Sequence, residues 1–130
     1  MAVQRFEVTA DDLAREVGAL RAEEIDALPF GAILLDGEGI VLAYNAAEER
    51  ISGRRRADVI GKNWFRDIAP CTRVKRFFGA FQEGVRRGAM NEVFDFTFAF
   101  ASGPRYVRIR MAYASAPKPG IWIFVTPLPG

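Results

Sequence analysis

Apolar residues recur along this chain in two rhythms, and the change from one to the other marks out its elements. Leu13, Val17 and Leu20 lie three and four apart behind Thr9, Asp11 and Asp12, which reads as a helix start followed by one buried face. A second helical stretch, Ala22 to Leu28, stops at Pro29. The run GAILLDGEGIVLAYN then gives two apolar strands joined by a turn at Asp36 to Gly39, a hairpin. From Asn45 to Gly88 the period is helical but broken into short pieces around AAEERIS, RRADVI and NWFRDIAP. A longer helix follows, with Phe77, Phe81 and Val85 on one face, Phe78 beside them and Gly88 as its stop. The last third switches to period two. Phe94, Phe96, Phe98 and Phe100 point one way and Val93, Asp95, Thr97 and Ala99 the other. A turn is expected over Ala101 to Arg105, a strand over Tyr106 to Ser115, a break at APKPG and a final strand at IWIFVTP. Two strands, several short helices and three strands imply an α+β fold: a central five-stranded antiparallel sheet, short helices on one face and an N-terminal helical cap. Residues 1–28 would form the cap and 29–130 the core of one structural domain.

Composition narrows the function more than the fold. At 130 residues, half of them hydrophobic and 26% charged, the chain has ordinary globular usage and the length of one domain. Eighteen basic residues against sixteen acidic ones leave a net charge of +2, which gives no reason to expect a nucleic-acid partner. The start, MAVQRFEVTADD, has no apolar signal core, and no run approaches the roughly 18 apolar residues of a spanning helix. The expected compartment is therefore the cytoplasm, away from membranes. The single cysteine excludes an internal disulfide. The absence of histidine removes Cys–His and Ser–His nucleophile pairs, histidine-ligated zinc and proximal-histidine haem. With no Gly-rich phosphate loop or metal-ligand cluster in the sequence either, an enzyme is not expected.

Three sets of residues carry possible chemistry. Cys71, in IAPCT, follows a proline that ends one short helix and precedes Thr72, a candidate cap for the next. Positive partial charge at a helix start favours thiolate. A lone cysteine is otherwise a small buried hydrophobe. Tyr44 and Glu48 stand four apart where strand passes into helix, so a phenol and a carboxylic acid can face one pocket, a good cradle for a phenolate. The other reading of that pair is a core tyrosine beside an exposed helical glutamate. Of the run Arg54, Arg55, Arg56, two are expected to be solvated, and Arg105, Arg108 and Arg110 read as the polar face of a strand.

Taken together, PFGAILLDGEGIVLAYNAAEERISGR, DVIGKNWFRDIAPCT and FFGAFQEGVRRG closely resemble the photoactive yellow protein family, from about Leu28 to Val125 and nearly without gaps. The resemblance implies a PAS-like fold and a blue-light photoreceptor whose chromophore, p-coumaric acid (4-hydroxycinnamic acid), is a thioester on Cys71. It matches Tyr44 and Glu48 to the two partners of the phenolate. Ser52 stands where a threonine commonly supports the tyrosine, and Arg54 matches the arginine that closes the pocket. Ile33, Phe98 and Trp64 fall near the aromatic ring, Trp64 where phenylalanine is more usual. Light would isomerise the double bond, Glu48 would pass its proton to the phenolate, and the buried carboxylate would drive partial unfolding, including release of the N-terminal helices. Ser102, in ASGP, occupies the region where members carry a methionine thought to assist dark recovery, so slow recovery is expected. The implied partners are an unknown downstream signalling protein or fused output domain, and TPLPG suits either a natural end or a linker. A monomer or weak dimer is expected.

The competing reading is a PAS-like module that senses a non-covalent ligand or mediates dimerisation, with Cys71 free. A flavin photosensor fits less well, because the NCRFLQ-type segment of such domains is not found in the sequence.

Overall fold

The computed structural model describes residues 13–115 and 119–129. The first hairpin pairs β1 (Gly31–Asp36) with β2 (Val41–Tyr44). Its turn closes because the Asp36 carboxylate accepts the N–H groups of Glu38 and Ile40 at 2.9 and 3.0 Å while Gly39 takes a left-handed φ of 88°. After the central helices come β3 (Asn91–Phe100), β4 (Gly103–Ala114) and β5 (Gly120–Pro127). All neighbouring strands are antiparallel, in the order β2-β1-β5-β4-β3, so the last strand is inserted beside the first.

That insertion explains why β1 and β5 read as continuous apolar runs while β3 alternates. Strands β1 and β5 are covered on both faces, and β3 is an edge strand with one wet face. On one face Ile33, Leu35, Ile121, Ile123 and Val125 meet the central helices. On the other, Ala32, Leu34, Trp122 and Phe124 meet Leu13, Val17 and Leu28 of the N-terminal segment. The cap thus closes the sheet face opposite the central helices. Its described helices are α1 (Leu13–Gly18) and α2 (Ala22–Asp26), the latter two residues shorter than the sequence suggests. Thr9, Asp11 and Asp12, the expected helix start, lie outside the described residues.

The central segment comprises α3 (Ala46–Ser52), a 3-10 turn at Arg56–Asp58, a π turn at Trp64–Ile68, a 3-10 turn at Pro70–Thr72, and a π turn at Lys75–Gly79 running into α4 (Ala80–Arg87). Gly88 ends α4 in the left-handed conformation, φ 66°. The β3–β4 turn is tighter than the five residues expected. Phe100 already pairs with Gly103, leaving only Ala101 and Ser102 as the turn. Pro104 is tolerated in β4 because pairing with β5 begins only at Val107, so it has a partner strand on one side alone. No helix among the described residues is long and apolar enough to cross a membrane.

Candidate functional site

Asn45, between β2 and α3, fixes the inner half of the site. Its Oδ1 accepts the N–H groups of Glu48 and of Ala32 in β1, at 3.0 and 2.9 Å, and its amide donates to the carbonyls of Ile25 and Phe30 at 2.9 and 3.1 Å. One buried side chain therefore caps α3 and ties it both to the sheet and to the end of the N-terminal cap. In the first turn of α3 the Glu48 side chain turns inward over Gly31. A Cβ at position 31 would lie 2.1 Å from Glu48 Oε1, so any side chain there would have to push the carboxyl aside.

Glu48 is 1% exposed and its Oε1 has no hydrogen-bond partner among the described residues. Burial pushes its carboxyl up to about 8, with the charge of Arg105 pulling the other way, so near neutral pH it is mostly a protonated, neutral acid. Tyr44, the last residue of β2, is also buried. Desolvation first and the nearby Glu48 second raise its phenol well above the usual tyrosine range. Its hydroxyl donates to Ser52 Oγ at 2.7 Å, and the Arg54 N–H donates to the same oxygen at 3.1 Å.

The outer half is built by the turns around Cys71. Asn63 Oδ1 accepts the Arg66 N–H at 2.9 Å and starts the π turn that buries Trp64, Phe65 and Ile68. Half-buried Cys71 lies in the 3-10 turn Pro70–Thr72. Two sequence expectations are corrected here. Thr72 does not cap the next helix, because the capping position falls on Val74 while the Thr72 hydroxyl donates back to the Ala69 carbonyl at 2.6 Å, and Cys71 is not at that helix's start. The next helical turn begins after Val74, whose extended backbone separates it from Cys71.

Cys71 opens on a cleft of about 670 Å³ that also collects Ser52, Arg54, Phe100 and Ser102. Arg54 and Ser102 are exposed at its rim. Ile33, Trp64 and Phe98 are buried in the core cluster against which Cys71 packs. The Trp64 ring meets those of Phe65, Phe77 and Phe98 at 5.1, 5.4 and 6.1 Å, and Phe98 stacks on the cleft-lining Phe100 at 4.9 Å. The nine residues chosen from the sequence thus divide into a set that lines the cleft, Cys71, Ser52, Arg54 and Ser102, and a set buried behind it, Tyr44, Glu48, Ile33, Trp64 and Phe98. The Tyr44–Ser52 hydrogen bond joins them.

Sequence reasoning missed five features. Gly31 opens a strand where a glycine signals close approach, and Asn45 with Glu48 forms an N-x-x-E cap signature. Arg56 is not simply solvated. Its guanidinium bridges Asp26 of the cap at 2.9 Å and Glu49 of α3 at 3.4 Å. Arg105 does not share a face with Arg108 and Arg110. It pairs across from Phe98 and lies on the core side of β4 with Val107 and Ile109, as period-two alternation requires. Arg110, read as surface, is 2% exposed.

A family model described as PAS fold matches residues 19–128. The photoactive yellow protein of Rhodothalassium salexigens is 45% identical over 115 residues, covering 88% of this chain and 91% of its own. That of Halochromatium salexigens is 42% identical over 116 residues, covering 89% and 92%. Among solved structures, the photoactive yellow protein domain of the sensor histidine kinase Ppr from Rhodospirillum centenum superposes with a TM-score of 0.81. It is 44% identical and covers 86% of this chain and 97% of that domain.

Proposed function

Because the chain belongs to the photoactive yellow protein family of PAS-fold photoreceptors, we propose that it senses blue light through a p-coumaroyl group held as a thioester on Cys71. The observation that carries this reading is the buried, unpartnered Glu48 carboxyl, neutral at physiological pH and placed beside the Tyr44 phenol. Two protonated oxygen acids in a water-poor pocket suit a phenolate, and a half-buried thiol on the adjoining cleft suits its attachment. When bound, the group supplies visible absorption and a double bond that isomerises in light.

The protein's own residues do the rest. The Cys71 thiolate displaces the leaving group of an activated p-coumarate. Tyr44, steadied by Ser52, and Glu48 hold the phenolate end, Ile33, Trp64 and Phe98 enclose the ring, and Arg54 covers the rim. After light absorption Glu48 gives up its proton to the phenolate oxygen and stays behind as a carboxylate. A desolvated, unpaired carboxylate costs several kcal/mol, a large share of a small domain's stability. The strain falls on α3, whose cap Asn45 and whose Glu49, through Arg56, both hold the end of α2. Loosening these contacts frees the N-terminal cap, residues 1–28, from the core, 29–130, and that release is the signal. It passes in the cytoplasm from a monomer or weak dimer to a downstream signalling protein or to a fused output domain, the arrangement in which the Ppr domain occurs. With Ser102 at the rim, thermal return to the dark state is slow. A return after a blue flash as fast as in methionine-bearing relatives would contradict this.

The test is to add p-coumaric anhydride to the purified chain and record the visible spectrum before and after blue light. The expected result is a yellow band that bleaches and recovers, and that Cys71→Ala lacks completely. No colour, with Cys71 still titrating as a free thiol, would leave a PAS module of non-covalent ligand or dimerisation function.

A further inference from the structure

We propose that Arg105 is a positioning residue for the charged form of Glu48: a cation carried on the core face of β4, held without a carboxylate partner of its own, that steadies the Glu48 carboxylate and so lengthens the signalling state. This rests on the photoreceptor reading above only for its consequence in light.

Three observations carry it. The register Phe98↔Arg105 fixes the orientation, because cross-strand partners share a face and Phe98 is fully buried among the central-helix core residues. Gly31, under the Glu48 carboxyl, belongs to that same face of the sheet, since β1 alternates in step with Ile33. Second, Arg105 makes no salt bridge with any described residue, whereas Arg108, turned to the other face, is paired with Asp95 at 2.8 Å and Arg56 with Asp26 at 2.9 Å. Third, among the described residues, Arg105 is the cation whose charge acts on Glu48 and opposes the effect of its burial.

The other groups around Glu48 do not take this role. Tyr44 on β2 is a neutral phenol bonded to Ser52, Arg54 acts on Tyr44, and Glu49 on α3 is turned outward to Arg56. A neutral Glu48 gains little from Arg105. An ionised one is attracted to it, and because Glu48 is fully buried that attraction is only partly screened by solvent. Arg105 therefore selects between the two protonation states without contacting the proton.

The experiment uses the full chain, first without chromophore and then after reaction with p-coumaric anhydride. In the unloaded chain, carboxyl-labelled glutamate NMR follows the Glu48 midpoint, with Glu48→Gln identifying its resonance. Arg105→Gln is expected to raise that midpoint by about one pH unit and Arg105→Lys to leave it in place. A merely structural role would move the unfolding midpoint and not this titration. In the loaded chain, Arg105→Gln is expected to return to the dark state several-fold faster and Arg105→Lys at the native rate. An unshifted Glu48 midpoint in Arg105→Gln overturns the proposal. Failure to form any yellow adduct overturns the photoreceptor chemistry instead, and the titration still decides Arg105.

Discussion

Glu48→Gln is expected to make the protein more stable than the native chain above about pH 4.5, with an advantage that grows until about pH 8 and then levels off. The sign follows from linkage. The ordinary glutamate value is 4.5 and burial lifts Glu48 to about 8. Between those values the unfolded chain has released the proton and the folded chain has kept it. The unfolded state therefore binds fewer protons, and stability falls as pH rises. Above the folded value the penalty is fully developed, and below the unfolded value it is absent. Glutamine fills nearly the same volume and does not titrate. The difference between the two proteins should reach on the order of 3–5 kcal/mol at pH 8 and vanish near pH 4. Urea denaturation of both from pH 4 to 9 measures it directly, because every other carboxylate is common to the pair. Parallel stability curves would mean that Glu48 ionises in the folded protein as it does in water.

Trp64→Ala is the other large effect, and it tests the packing behind the cleft. The indole is 2% exposed and lies against three phenylalanine rings, with Phe65 and Phe98 edge-on. Removing it deletes the side chain and leaves a cavity that those rings only partly close, at a cost of about 3–5 kcal/mol. Set against a typical total of about 5–15 kcal/mol, that brings the domain close to unfolding at room temperature. The urea midpoint, followed by far-ultraviolet circular dichroism, should fall with little change in slope. A loss below about 1 kcal/mol would place Trp64 in a site that collapses freely.

Most of the fold was legible because its strongest signals are local. The DGEG turn, the alternating phenylalanines of β3 and the four-residue spacing of Phe77 and Phe81 each state their period within ten residues. What escaped reading depends on what lies across a gap in the sequence. Thr72 is a competent cap by type, yet the next helical turn starts two residues further on, behind Val74, and the Thr72 hydroxyl bonds back to Ala69 instead. Pro104 reads as a turn until one knows that β5 starts its pairing further on. Arg105 reads with Arg108 and Arg110 by composition and separates from them by parity. In the site, residue type and the family resemblance picked out Cys71, Tyr44 and Glu48. Asn45 and Arg56 owe their importance to Ile25 and Asp26, twenty and thirty residues distant, contacts that no local pattern announces.

The missing side chain at Gly31 has a consequence for how this sequence can change over time. Because Glu48 leans into that space, drift at position 31 would re-aim the acid without altering it. The two positions are thus coupled, and a shorter acid at 48 would ease the way for a methyl at 31. A mutational survey confined to the acids would pass over the glycine that aims one of them.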